Sequence, residues 1–147
     1  MELTTLSNDI TVVFLSVANF PDDVPSTYVR LHAQLPEEDG RRYFGISHAD
    51  QHGAIQYKAA AEVLAGEKFD SAELEQFVIR KGPFASKYIV NHFQDSQCIG
   101  LAFKELLGHP DLDPVGYCLE VYKNYTDLDV HCMVRLLTID HSLNSEA

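Results

Sequence analysis

Basic residues are scarce in this chain: 11 Lys and Arg stand against 22 Asp and Glu, a net charge of −11. Nucleic-acid binding needs clustered Lys and Arg to displace counterions, so no direct nucleic-acid partner is expected. A field of this sign instead draws in cationic ligands or basic partners. Long apolar runs are missing too. None approaches the roughly 18 residues that cross a bilayer, so no membrane partner is expected. Residues 1–8 hold no basic residue ahead of an apolar stretch and do not read as a secretory signal. Cys98, Cys118 and Cys132 form no CxxC pair and leave one over in any disulfide scheme. That usage suits reduced thiols and a cytoplasmic location. A Ser/His/Asp constellation, a phosphate-cradling glycine loop and a zinc pattern are likewise absent, so no catalytic residue, metal or cofactor is expected. His48 and His52 have i,i+4 spacing but lie in a polar turn without a third ligand nearby.

What is present is a globular composition, 46% hydrophobic and 22% charged over 147 residues, and it fits a single domain spanning 1–147. The chain matches itself in residue class at an offset of 75. Val12–Ala18 falls on Lys87–Phe93, both strand-like. Val24, Tyr28 and Leu31 fall on Ile99, Phe103 and Leu106, each trio the i, i+4, i+7 stripe of an amphipathic helix. Tyr43–Ser47 falls on Cys118–Tyr122, and Ile55–Val63 on Val130–Thr138. Each half therefore reads β-α-β-β, the first over about 10–64 and the second over about 77–139, with a connector at 65–76. Asp22 or Asp23 is placed to cap the first helix, with Pro25 in its opening turn. Asp95 or Ser96 is placed to cap the second, which stops by Gly108-His109-Pro110. A short helix is expected over Ser71–Gln76, before a strand at Phe77–Arg80. The fold class is α+β: an antiparallel sheet with two helices on one face and a ligand groove on the other.

Three segments resemble a known family. Val115–Leu137 (VGYCLEVYKNYTDLDVHCMVRLL) is similar to the closing part of GyrI-like, AraC-type effector-binding domains. There a strand reading roughly "LEVY" precedes a polar turn and a last strand. Tyr43–Val63 resembles the matching part of the first half, and Lys87–Leu107 the strand and helix between them. The resemblance implies a pseudo-twofold fold whose halves enclose a groove for small, often aromatic or cationic, molecules. It also implies a module that senses ligands when fused to a DNA-binding domain, or that acts alone and reports a captured ligand to a regulatory protein partner. No helix-turn-helix segment accompanies it here.

Strand alternation assigns the faces, on the premise that the helix-covered face is the more uniformly apolar. On that premise Tyr117, Leu119 and Val121 pack under the helices, as do Phe44 and Ile46. So do Val13, Leu15 and Val17, Tyr57, Ala59 and Ala61, and Cys132, Val134 and Leu136. The open face then carries Phe14, Tyr43, Glu120, Tyr122, Met133 and Arg135, the expected ligand-binding residues. Aromatic walls with few polar groups are usual in pockets. Glu120 among tyrosines suits a ligand cation, and the resemblance points to the same residue. The alternative is a cross-strand ion pair with Arg135. Cys118 and Cys132 are expected on opposite faces. Function is therefore expected to be binding of a small organic ligand. The alternatives are hydrolysis of electrophilic xenobiotics by Glu120 with Tyr122 or Tyr43, or an acidic surface that docks on a basic partner.

Overall fold

Pro25 opens the first helix in the turn where a missing N–H costs nothing, and the apolar stripe ending at Leu31 turns it toward a sheet. A computed structural model describes residues 1–38, 40–92, 95 and 97–137. The elements in order are β1 (Glu2–Leu6), β2 (Ile10–Ser16), α1 (Val24–Ala33), β3 (Tyr43–Ala49), β4 (Ile55–Glu62), β5 (Glu75–Ile79), β6 (Gly82–Ile89), α2 (Cys98–Leu106), β7 (Cys118–Tyr122) and β8 (Val130–Arg135). The strands form one antiparallel sheet in the order β1-β6-β8-β7-β3-β4-β2-β5. The fold is α+β, as the sequence indicates.

This order forces the sheet to curl. β1 and β2 stand six places apart, yet only residues 7–9 join them; β5 and β6 stand equally far apart, joined by residues 80–81. Six strand spacings amount to about 28 Å, whereas such links reach about 14 Å at most. The two edges must therefore approach each other. Asp9 clamps the two links, accepting from the Lys81 amide at 2.8 Å and pairing with Arg80 at 3.2 Å.

Curling buries both faces. The concave side holds Ile10, Val12, Phe14, Phe44, Ile46, Ile79, Phe84, Leu119 and Met133 in one core. On the convex side α1 covers β2 and β4, while α2 covers β6 and β8. The central strands β3 and β7 lie between the two helices.

Several expectations are corrected here. On β2, β4 and β8 the faces are as the alternation indicates: Val13, Leu15, Tyr57, Ala59, Ala61, Cys132, Val134 and Leu136 all pack on the helix side. On β3 and β7 they are reversed. Phe44, Ile46 and Leu119 lie in the concave core with Val121 and Tyr117 against it, so Tyr43, Gly45, Glu120 and Tyr122 face the helices. The premise fails because the helix-free face, curled around its own side chains, is the more apolar of the two. The reversal also puts Cys118 on the same face as Cys132, both reduced.

Val24, Tyr28 and Leu31 of α1 pack in the cluster under that helix, and Ile99, Phe103 and Leu106 of α2 pack in the other. The 75-residue offset is not uniform, however. Val12 pairs with Glu62, while Lys87 pairs with Cys132 rather than with Leu137. The opening strand of the second half begins at Gly82 rather than Lys87. Residues 71–74 form a turn, not a helix, and β1 is an additional edge strand. Asp23 stands at the α1 N-cap without a side-chain cap bond; its carboxylate accepts from Asn19. The expected strand ends at Phe93 and Thr138 and a cap at Ser96 lie outside the described residues.

Candidate functional site

The seam between the helices is built on the pairing of β3 with β7. Gly45 stands directly opposite Glu120, with Tyr43 opposite Tyr122. Across the sheet Glu120 also faces Cys132. A Cβ at Gly45 would collide with the Tyr57 hydroxyl and lie 3.0 Å from the Glu120 carboxyl carbon. Glycine is what lets these two side chains meet over β3.

Glu120 is buried, 7% exposed. Its Oε1 lies 2.6 Å from the Tyr122 hydroxyl and 3.1 Å from that of Tyr57. The Tyr57 hydroxyl is 2.9 Å from the Tyr28 hydroxyl, which donates to the Phe44 carbonyl at 2.6 Å. α1 thus supplies one ring, β4 a second and β7 a third. Tyr122 packs against the clusters under both helices, which fixes the site at their seam. The exposed Phe20 ring, from the loop before α1, stacks on Tyr57 at 5.6 Å. His92 lies 5.7 Å from Tyr122.

Desolvation governs the electrostatics. It raises the Glu120 carboxyl above its ordinary range, against the lowering effect of hydrogen bonds from Tyr122 and Tyr57. The Tyr28, Tyr57 and Tyr122 hydroxyls are all pushed up by burial first and by Glu120 second. Burial lifts Tyr43 to about 12 and, with Glu120 adding to it, Cys118 to about 11. Burial also lowers His92, which favours its neutral form. None of the ion pairs among the described residues involves Glu120.

The expected binding residues therefore fall into two groups on opposite faces. Glu120, Tyr122 and Tyr43 come together at the seam. Phe14 and Met133 are buried in the concave core, and Arg135 borders it, donating to the Arg80 and Lys81 carbonyls at 2.9 Å each and lying over Phe84. Arg135 also approaches Asp113, so it is no partner of Glu120. The residues that sequence reading missed are Tyr28, Tyr57, Phe20 and His92. Gly45 was within its reach: it maps onto Glu120 at the 75-residue offset, and the smallest residue opposes the carboxylate. Two surface hollows of about 340 and 370 Å³ lie elsewhere, the first beside Lys58 and Tyr117, the second beside Asn8 and Arg42. The seam itself is filled by its own rings.

Solved structures share the fold of this chain. One is the integron cassette protein VCH_CASS2 from the mobile metagenome of Vibrio cholerae, with a TM-score of 0.65 at 11% identity, covering 92% of this chain and 95% of that one. Another is SAV2435, solved bound to tetraphenylphosphonium, with a TM-score of 0.60 at 11% identity, covering 91% and 93%. At such identities the likeness establishes the fold alone. No family model matches the chain, and no curated protein matches it in sequence.

Proposed function

We propose that this chain is a small-molecule-binding domain of the GyrI-like effector-binding kind, its halves two copies of one unit. Its ligand is an organic cation carrying aromatic rings, held in the seam between α1 and α2. The observation that carries this reading is Glu120, a buried carboxyl walled by tyrosines, with no ion-pair partner among the described residues. Burying an ionised carboxylate unpaired is costly, so such a site favours a cation brought from outside. Tyr57, Tyr122, Tyr28 and Tyr43 supply ring faces, each worth about 0.5–2 kcal/mol to a well-placed cation. A ligand ring takes the position over Tyr57 that Phe20 holds in its absence. The cation bound by SAV2435 supports the reading by analogy of fold.

The test is titration calorimetry with tetraphenylphosphonium and with a neutral analogue of similar shape. Glu120→Gln should weaken the cation by about tenfold or more, roughly 1.4 kcal/mol, and the neutral analogue far less. Equal losses for both would defeat the carboxylate as anchor. A second reading, hydrolysis of electrophilic compounds with Glu120 as general acid, has the raised Glu120 carboxyl in its favour. Turnover of an electrophile by the wild type and its loss in Glu120→Gln would select it.

A further inference from the structure

The hydrogen bonds of the seam can be counted proton by proton. Four contacts run in sequence: Tyr122 to Glu120, Glu120 to Tyr57, Tyr57 to Tyr28, and Tyr28 to the Phe44 carbonyl. A carbonyl can only accept, so Tyr28 gives its single proton to Phe44. The 2.9 Å contact between Tyr28 and Tyr57 must then use the Tyr57 proton. An ionised Glu120 would need that same Tyr57 proton for its 3.1 Å contact, in which Tyr57 is the donor to a carboxylate. Tyr122 supplies a proton to its own contact only. Three hydroxyl protons thus serve four contacts, and the missing one has a single source in the chain, the Glu120 carboxyl.

From this we infer that the ligand-free protein holds Glu120 as a neutral acid donating to Tyr57, and that an organic cation entering the seam displaces its proton. The inference rests on the cation-binding reading above and adds its regulation: binding is an exchange of one proton for one cation. The surroundings agree. Facing Glu120 are Tyr28 from α1, Tyr57 from β4, Tyr43 from β3, Tyr122 and Cys118 from β7, and Cys132 from β8. His92 and Cys98 stand at the α2 side, with Asp127 and Asp129 near His92. The Lys nearest along this row of the sheet, Lys87 beyond Cys132, is bonded to Glu105 at 2.6 Å. Burial dominates the balance at Glu120 and favours its neutral form. On exchange the carboxylate keeps the Tyr122 and Tyr57 hydroxyls as donors, and Tyr28 retains the Phe44 carbonyl.

Two measurements test this separately from the binding reading. Infrared spectra of the ligand-free protein near pH 7 should show the carbonyl stretch of a protonated carboxyl, shifted by ¹³C-glutamate and absent from Glu120→Gln. Calorimetry of tetraphenylphosphonium in buffers of different ionisation enthalpy should show one proton released per cation. Affinity should rise about tenfold per pH unit below the Glu120 midpoint, while Glu120→Gln should show no such slope. Absence of the infrared band overturns the inference whether or not the cation binds. Binding without proton release, the band being present, overturns the exchange. Failure of the cation to bind at any pH, with the band present, overturns the exchange together with the cation reading and leaves the neutral acid standing.

Discussion

A single missing side chain organises the seam. Gly45 and Glu120 sit opposite each other on the two central strands, and the space that a Cβ would fill is taken by the Tyr57 hydroxyl. Glycine on a strand costs stability unless something approaches its backbone closely, and here a tyrosine and a carboxyl do. Gly45→Ala should therefore act by overpacking. The methyl would push Tyr57 off Glu120, and the expected loss is about 1–3 kcal/mol in denaturant unfolding. A variant as stable as the wild type, with its tyrosine near-ultraviolet dichroism unchanged, would mean that Tyr57 does not need this space. Glu120 itself was legible in the sequence because a carboxylate stood between apolar and aromatic neighbours in a strand. Of its partners only Tyr122, two residues on in the same strand, was legible too. Tyr28 and Tyr57 look like ordinary packing residues until the chain is folded, since hydroxyl geometry leaves no mark on periodicity.

Elements were legible where their two faces differ in polarity. β4 sets Lys58 and Glu62 against Tyr57, Ala59 and Ala61, and β8 sets His131 and Arg135 against Cys132 and Val134, so alternation assigns both correctly. β3 offers no such contrast, because Tyr43, Phe44, Gly45 and Ile46 are all buried. A strand buried on both faces carries no period-two signal, and a shift of one residue then reverses every side chain. β1 went unseen because ELTTL has little apolar alternation and its partner, β6, is some 80 residues away. The segment between β4 and β5 is held by chemistry that composition hides. Arg41, 2% exposed, makes a bidentate pair with Glu67, 2.7 Å on each arm, and donates to the carbonyls of Glu62 and Pro36. Arg41 lowers the Glu67 carboxyl below its ordinary range, the hydrogen bond being the largest cause. A lowered folded value means that the stabilisation is present above the unfolded carboxylate pKa, about 4.3, and lost as pH falls through the folded one. Glu67→Gln should cost on the order of 3 kcal/mol near neutral pH, because it leaves Arg41 buried and unpaired. The gap to wild type should narrow toward acid pH. Urea unfolding at a series of pH values measures both, and a gap independent of pH would remove the ion pair from the explanation.

At the scale of the whole molecule, charge and architecture act on the same ligand at different distances. The curled sheet spends many of its apolar residues on a concave core, at whose rim the hollow of about 340 Å³ beside Ile46, Phe77 and Tyr117 lies, and the site proposed above is the seam between the helices. Among the described residues that seam exposes no Lys or Arg to attract an anion, and Glu120 has no long-range field while it holds its proton. Attraction from a distance must come instead from the net charge of −11, spread over the surface. Such a field raises the encounter rate of a cation and is screened as salt shortens the Debye length from about 30 Å at 0.01 M to about 8 Å at 0.15 M. Contacts inside a dry seam are screened far less. The two regimes can be told apart by kinetics. Stopped-flow binding of a fluorescent aromatic cation should show an association rate that falls several-fold over this range of salt. The dissociation rate, set by Glu120 and the tyrosine rings, should change little. Glu120→Gln should do the reverse, speeding dissociation by about tenfold while leaving the salt dependence of association intact. A mutation that flattened the salt dependence of association would mean that Glu120, rather than the surface as a whole, steers the ligand in.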